Sequence, residues 1–104
     1  MEEIWKDIPG IDGYQVSNIG RIKSFIGKEP YILQSQYSHK RKNQVVIRGI
    51  DYDVRNLMLT AFVGPPKQWD VFEYINGITN DNRIENMRWM NIKDKADKYH
   101  NKQL

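Results

Sequence analysis

The chain has 104 residues, with 16 Lys/Arg against 13 Asp/Glu (net charge +3), 39% hydrophobic and 12% aromatic residues, and no cysteine. That composition excludes a disordered tail, disulfide staples and thiolate metal ligands, and it permits nucleic-acid binding without requiring it. No apolar run approaches the roughly 18–20 residues needed to span a bilayer, and the first residues, MEEIWKDIPG, lack an apolar signal region. A cytosolic protein with no membrane association is the expectation. The excess charge is uneven: residues 1–50 hold 8 Lys/Arg and 5 Asp/Glu, whereas residues 51–104 hold 8 of each.

In chain order, Tyr14-Gln15-Val16-Ser17 has strand character, Asn18-Ile19-Gly20 supplies turn residues, and Arg21 to Phe25 alternates polar and apolar. This predicts a hairpin with Val16, Ile22 and Tyr14 toward a core and with Arg21 and Lys23 sharing one face. Two cations on a strand commonly make no more than a solvated face. A second hairpin is expected from strands near Tyr31–Gln36 and Gln44–Arg48, joined by the basic loop Ser38-His39-Lys40-Arg41-Lys42-Asn43. That loop reads equally as a solvated turn or as a phosphate contact. Val54, Leu57, Met58, Ala61 and Phe62 then fall on one face of a short helix, stopped by Gly64-Pro65-Pro66. A strand over 71–75, a turn-rich loop over 76–82 and a short strand over 87–90 follow. A last helix is capped by Asn91, with Asp94 in its first turn, and the chain frays past His100. Trp5, Trp69 and Trp89 read as anchors in the core or at its edge.

The segment from Asp70 to Tyr99, DVFEYINGITNDNRIENMRWMNIKDKADKY, resembles the ββα-metal unit of the HNH endonucleases of phages and mobile introns. Tyr74-Ile75-Asn76-Gly77 stands where the family has His-Ile-Asp-Gly. Asn80, Asn82, Arg83, Ile84, Glu85, Asn86, Met87 and Trp89 follow at the family spacing. Upstream, E-I-W-K-D-I-P-G and V-S-N-x-G-R-I-K-S are similar to a nuclease-associated modular DNA-binding motif, with the segment between Gly10 and Tyr14 about one residue short. The resemblance implies an α+β chain: a hairpin-rich N-terminal module and a degenerate ββα-metal unit with a C-terminal helix. The expected divisions are residues 1–28 for the DNA-binding motif, 29–68 for the hairpin and linking helix, and 69–104 for the ββα unit. Relatives often show Val-His-Arg-Leu at the linking helix, where this chain has Val54-Arg55-Asn56-Leu57.

An HNH site hydrolyses a phosphodiester with one divalent metal, a histidine as general base and an asparagine that orients it. The resemblance places Glu73 at the strand metal-ligand position, Tyr74 at the base, Asn86 at the orienting asparagine and Lys95 at the helix metal-ligand position. A phenol ionises in water near pH ~10 and offers little base at neutrality. An ammonium has no lone pair for a cation, so Lys95 is expected to pair with Glu73 or to meet a phosphate. A shift of one residue would put Asp94 in its place. His39 and His100 read as surface residues. No catalytic residue, metal or cofactor is therefore assigned, with Mg²⁺ entering only if weak nicking survives through Glu73 and a relocated base. The expected DNA contacts are Arg21, Lys23, Ser24, Lys40, Arg41 and Lys42. The leading expectation is a DNA-associated protein of a phage or mobile element, derived from a homing nuclease, acting in the cytoplasm of a bacterial cell. Its rivals are a small phage inhibitor of a host protein, such as a defence nuclease or polymerase, and a weak nickase. Oligomeric state is left open.

Overall fold

In the motif V-S-N-x-G-R each residue has a separate duty. A computed structural model of the chain, describing residues 2–33, 43–79 and 81–101, shows what those duties are. Strands β1 (Trp5–Asp7), β2 (Tyr14–Ser17), β3 (Ile22–Ser24) and β4 (Tyr31–Ile32) form one antiparallel sheet in sequence order. At the β2–β3 turn the buried Ser17 hydroxyl accepts from the N–H groups of Ile19 (3.3 Å) and Arg21 (3.1 Å). Asn18 accepts from Ile4 N–H through Oδ1 (2.8 Å) and donates through Nδ2 to the Glu2 carbonyl (3.2 Å). Its own carbonyl accepts from Ile84 N–H (2.9 Å), which joins the first sheet to the C-terminal unit. Gly20 has φ +93°, and a β-carbon there would lie 3.5 Å from Met58 Sδ and 3.7 Å from Val54 Cγ1. The turn is seated on the helix that follows; a β-carbon would make ordinary contact with that seat, and it is the positive φ that favours glycine.

The second hairpin differs from the one expected. Tyr31 and Ile32 pair with Ser24 and Lys23, so they extend the first sheet rather than face residues 44–48. Strand β5 (Gln44–Ile47) pairs instead with β6 (Ile50–Asp53), from Gln44↔Asp53 to Ile47↔Ile50. The two residues between them, Arg48 and Gly49, have φ +52° and +79°. A two-residue hairpin turn of the type I′ kind needs positive φ at both central positions, which Asn-Gly advertises and Arg-Gly does not. Residues 34–42, with the end of the expected strand and the basic loop as far as Lys42, lie outside the described residues, as does Asn80.

Helix α1 (Val54–Phe62) begins where Asp53 accepts from Arg55 N–H through its carboxylate, and ends where Val63 and Gly64 both donate to the Leu59 carbonyl. Its buried residues are Val54, Leu57, Met58 and Leu59, with Ala61 and Phe62 partly covered. Around it gather Ile8, Ile11, Val16, Ile22, Val45, Ile47 and Met87, drawn from all three sheets. Strands β7 (Asp70–Tyr74) and β8 (Met87–Asn91) make the last antiparallel pair, separated by a loop and the short 3-10 turn Ile84–Asn86. Helix α2 (Ile92–Asn101) follows with no break, its start capped by Asn91 Oδ1 accepting from Lys93 N–H (2.9 Å). Trp89 packs on the core and donates from Nε1 to the Gly64 carbonyl (2.9 Å), and Trp5 is half-buried. Trp69 is not an anchor: it is 66% exposed and adopts φ +71° in the turn leading into β7. Among the described residues no helix is long and apolar enough to cross a membrane.

Replacing Asn18 by alanine removes two side-chain hydrogen bonds at a buried position. It should lower stability by about 1–3 kcal/mol, read as a fall in the urea midpoint at unchanged slope.

Candidate nucleic-acid interface and the altered catalytic position

Side chains alternate along β7, so Phe72 and Tyr74 share a face, where their rings meet edge-on at 5.2 Å. The Tyr74 hydroxyl donates to Asn82 Oδ1 (2.7 Å) and accepts from Arg55 Nη1 (3.3 Å). Asn82 in turn donates from Nδ2 to Asn43 Oδ1 (2.7 Å). Arg55 is fixed by a fork onto Asp53 (Nε–Oδ1 2.9 Å, Nη2–Oδ2 2.7 Å) and lies 4.0 Å over the Phe72 ring. Burial pulls the Arg55 guanidinium downward most, yet the bonds to Asp53 and Tyr74 together hold it above the ordinary arginine value. The one proton of Tyr74 and one of its lone pairs are therefore committed within the protein.

Glu73, on the opposite face of the strand, is 3% exposed and takes an ion pair from Arg88 (Nε–Oε2 2.9 Å), its register partner on β8. Lys95 does something else. Its ammonium donates to the Phe72 carbonyl (3.2 Å) and stands 5.7 Å from the centre of the Phe72 ring. Asn86 is buried and braces the loop: Oδ1 accepts from Asn76 N–H (2.9 Å), Nδ2 donates to the Asp81 carbonyl (3.0 Å), and its own carbonyl accepts from Ile75 N–H (2.7 Å). Asp81 forks onto Arg83 (2.7 and 2.8 Å), and that contact holds its carboxyl down at about 2.

On the first sheet, Trp5 gathers cations. Lys23 Nζ lies 4.1 Å and the Arg21 guanidinium 5.7 Å from the centre of its ring. Arg21 also grips Glu3 through two nitrogens, one bond being Nε–Oε2 at 2.8 Å, and this holds the Glu3 carboxyl below its usual range. Lys23 makes no hydrogen bond or ion pair among the described residues. The expectation that both cations share one face holds. Ser24, expected among the DNA contacts, is corrected: it is fully buried, and its hydroxyl accepts from Ile26 N–H (3.2 Å) to close the strand end. Lys40, Arg41 and Lys42 lie outside the described residues.

Residues 3–48 match the NUMOD4 motif. The chain is 34% identical over 95 residues to the uncharacterized HNH endonuclease L247 of Acanthamoeba polyphaga mimivirus, covering 85% of this chain and 24% of the viral protein. It also superposes on a structure described as DNA binding and cleavage by the HNH homing endonuclease I-HmuI, with a TM-score of 0.72 and 26% identity, over 99% of this chain and 60% of that one. The chain is a relative of the HNH homing endonucleases. It spans about a quarter of the viral relative and about three-fifths of the solved one.

The four positions picked out by resemblance each make separate contacts in this structure. Glu73 is not paired with Lys95 as expected; Arg88, directly across the hairpin, reaches it first. Lys95 rather than the exposed Asp94 reaches β7, so the alternative alignment of α2 is not the one adopted. A divalent cation does not fit this donor set, because its one carboxylate is already ion-paired and the helix position presents an ammonium. Arg55, Asn82, Asn43 and Arg88 escaped the sequence reading. Arg55 left a trace there as a departure from the histidine of relatives and Asn82 as a residue at the family spacing, but their contacts depend on distant chain segments meeting.

Two measurements follow from this geometry. Tyr74→Phe strips both hydroxyl bonds while keeping the ring, and should cost about 1–2 kcal/mol in denaturant unfolding. For Asp81 the folded pKa lies below the ordinary aspartate value of 3.8, so its stabilising contribution is complete above that value and is lost as pH falls through about 2. A carboxyl-carbon NMR titration should place the Asp81 midpoint near 2. A midpoint close to that of a free aspartate would refute the fork with Arg83.

Proposed function

We propose that this chain is a DNA-associated protein descended from an HNH homing endonuclease, in which catalysis has been lost and occupation of DNA retained. The observation that carries the loss is the Tyr74 hydroxyl, which stands at the base position with its proton on Asn82 and one of its two lone pairs on Arg55. A base must be free to take a proton from water, and this group is held on both sides. Loss of a general base costs about 10²–10⁴-fold by itself, and the ion-paired Glu73 with Lys95 offers no metal site to compensate. A phage or mobile-element origin, and work in the cytoplasm of the infected bacterial cell, follow from the same reading. So does the division into a DNA-binding motif at 1–28, a linker at 29–68 and a ββα unit at 69–104.

The DNA surface on this reading is the Trp5 face of the first sheet. Lys23 is its primary phosphate contact because its ammonium, although over the Trp5 ring, makes no hydrogen bond or ion pair among the described residues. Arg21 is second, since Glu3 neutralises part of its charge. The similarity to a structure of DNA binding by a homing endonuclease and the NUMOD4 match support this placement. A second reading, a phage protein that binds a host protein, is favoured by one feature: Phe25, Ile26, Tyr31 and Ile32 are 40–52% exposed along the β4 edge of the same sheet.

Binding of duplex DNA by the whole chain should weaken steeply with salt, with a log–log slope of about −0.9 per phosphate contact. The Lys23→Ala/Arg21→Ala double variant should flatten that slope by nearly two contacts. Salt-insensitive association, or none at low salt, would move the weight to a protein partner. Incubation of supercoiled plasmid with Mg²⁺ or Mn²⁺ should give no nicking, and nicking abolished by Glu73→Ala would establish the enzyme reading instead.

A further inference from the structure

Beyond the Trp5 face the molecule has a groove with Lys95 at one end, the residue whose sequence position suggested a partner in Glu73 or in a phosphate. It lies between α1, the β7–β8 hairpin and α2, is open to solvent, and has a volume of about 580 Å³, within the range of about 300–1,000 Å³ usual for small-molecule sites. We propose that this groove takes one unpaired nucleotide of single-stranded DNA, its base on the apolar floor and its phosphate on Lys95. The inference rests on the DNA-associated reading and adds a second, base-dependent site to it.

The floor is built from register. Phe72 and Trp89 are direct partners across β7 and β8, which sets both side chains on one face of the hairpin. Both are fixed in advance: Trp89 by its Nε1 bond to Gly64, Phe72 by the Arg55 stack and the Tyr74 edge. Lys95 is the one cation among the lining residues. It spends one of its three N–H donors on the Phe72 carbonyl, leaving two for an anion at the mouth. On the opposite wall the Asn56 side chain, exposed on α1, makes no hydrogen bond among the described residues and offers both a donor and an acceptor. One turn on, the Thr60 hydroxyl donates to the Asn56 carbonyl (2.7 Å), so its oxygen can only accept. Asp70 is partly occupied by Lys67 N–H (2.9 Å).

An apolar floor, one ammonium at the end and an amide on the wall match a base with its adjoining phosphate, with Asp70 the one carboxylate of the lining. They match an amphipathic helix poorly, since a helix would leave Lys95 and Asn56 facing apolar side chains and unpaired. Bases inside a duplex cannot reach such a groove, so the nucleotide must be unpaired or unstacked.

The test uses the whole chain and two labelled probes, a hexathymidylate and an abasic phosphodiester of equal length. In a Trp5→Phe/Trp69→Phe background Trp89 is the sole tryptophan of the three, and its emission should be quenched by hexathymidylate and not by the abasic chain. Anisotropy should show about tenfold weaker hexathymidylate binding for Lys95→Met and several-fold weaker binding for Asn56→Ala. Lys95→Arg should stay within about threefold of the parent, which separates loss of charge from loss of fold. Equal affinity for the two probes, or unchanged binding in Lys95→Met, would overturn the proposal. Failure of the parent to bind duplex would count against the Trp5 face alone, because discrimination between base and abasic chain would still report the groove.

Discussion

Three small sheets, none able to bury its own apolar side chains, share a single helix of nine residues. The buried face of α1 is the constraint on which the rest depends. Met58 and Leu59 are fully buried, and Val54 and Leu57 nearly so; the side chains they meet come from β1 through β3, from β5–β6 and from β8. A helix this short is marginal by itself in water. Its stability is the burial, at about 1.5–3 kcal/mol for each fully covered large aliphatic side chain. A two-stranded hairpin is likewise marginal alone, so helix and hairpins are mutually dependent.

That dependence explains why the polar network stands where it does. Asp53 caps α1 and forks onto Arg55, and the fork aims the guanidinium at Phe72 and Tyr74 on the neighbouring strand. A cap and an ion pair that secure the helix start thus also occupy the hydroxyl at the family's base position. Asn82 carries the network on to Asn43, at the head of β5. On the proposed reading, catalysis was exchanged for a brace between three chain segments. A partly buried network of this kind is stabilising only when every member is paired, and among the described residues no buried side-chain nitrogen or oxygen lacks a partner.

The cations divide into those that hold the fold and those that face outward. Arg55, Arg83 and Arg88 are committed to Asp53, Asp81 and Glu73. Lys23 and Lys95 make no ion pair among the described residues; one stands over Trp5, the other at the end of the groove. Arginine's rigid fork suits the first task, since two parallel bonds fix a carboxylate in place, while the flexible, strongly hydrated ammonium of lysine suits contact with a moving phosphate. A net charge of only +3 therefore understates the local field at the two outward faces.

Local patterns gave the first hairpin, α1 with its stop, the ββα order and the Asn91 cap. Each rests on residues within a few positions of one another: a Ser-Asn-x-Gly turn, a 3.6-residue apolar repeat, a Gly-Pro-Pro terminator. The family frame was legible for the same reason, since Ser17, Asn18, Gly20, Asn86 and Trp89 do local structural work. Pairing was not. Tyr31–Ile32 went to β3 and β5 to β6 because the Arg48-Gly49 turn closes a tighter loop than the one expected, and positive φ at an arginine leaves no mark in the sequence. Nor could the sequence say that Arg88 would take Glu73 before Lys95 did, that Ser24 would be sealed inside, or that Tyr74 would be gripped by Arg55 and Asn82. Those outcomes depend on which side chains arrive across 8, 15 and 19 positions of chain once the sheets close on α1. The sequence determined the elements whose signals lie close together and which residues stand at the family's catalytic positions; only tertiary packing decided what those positions touch.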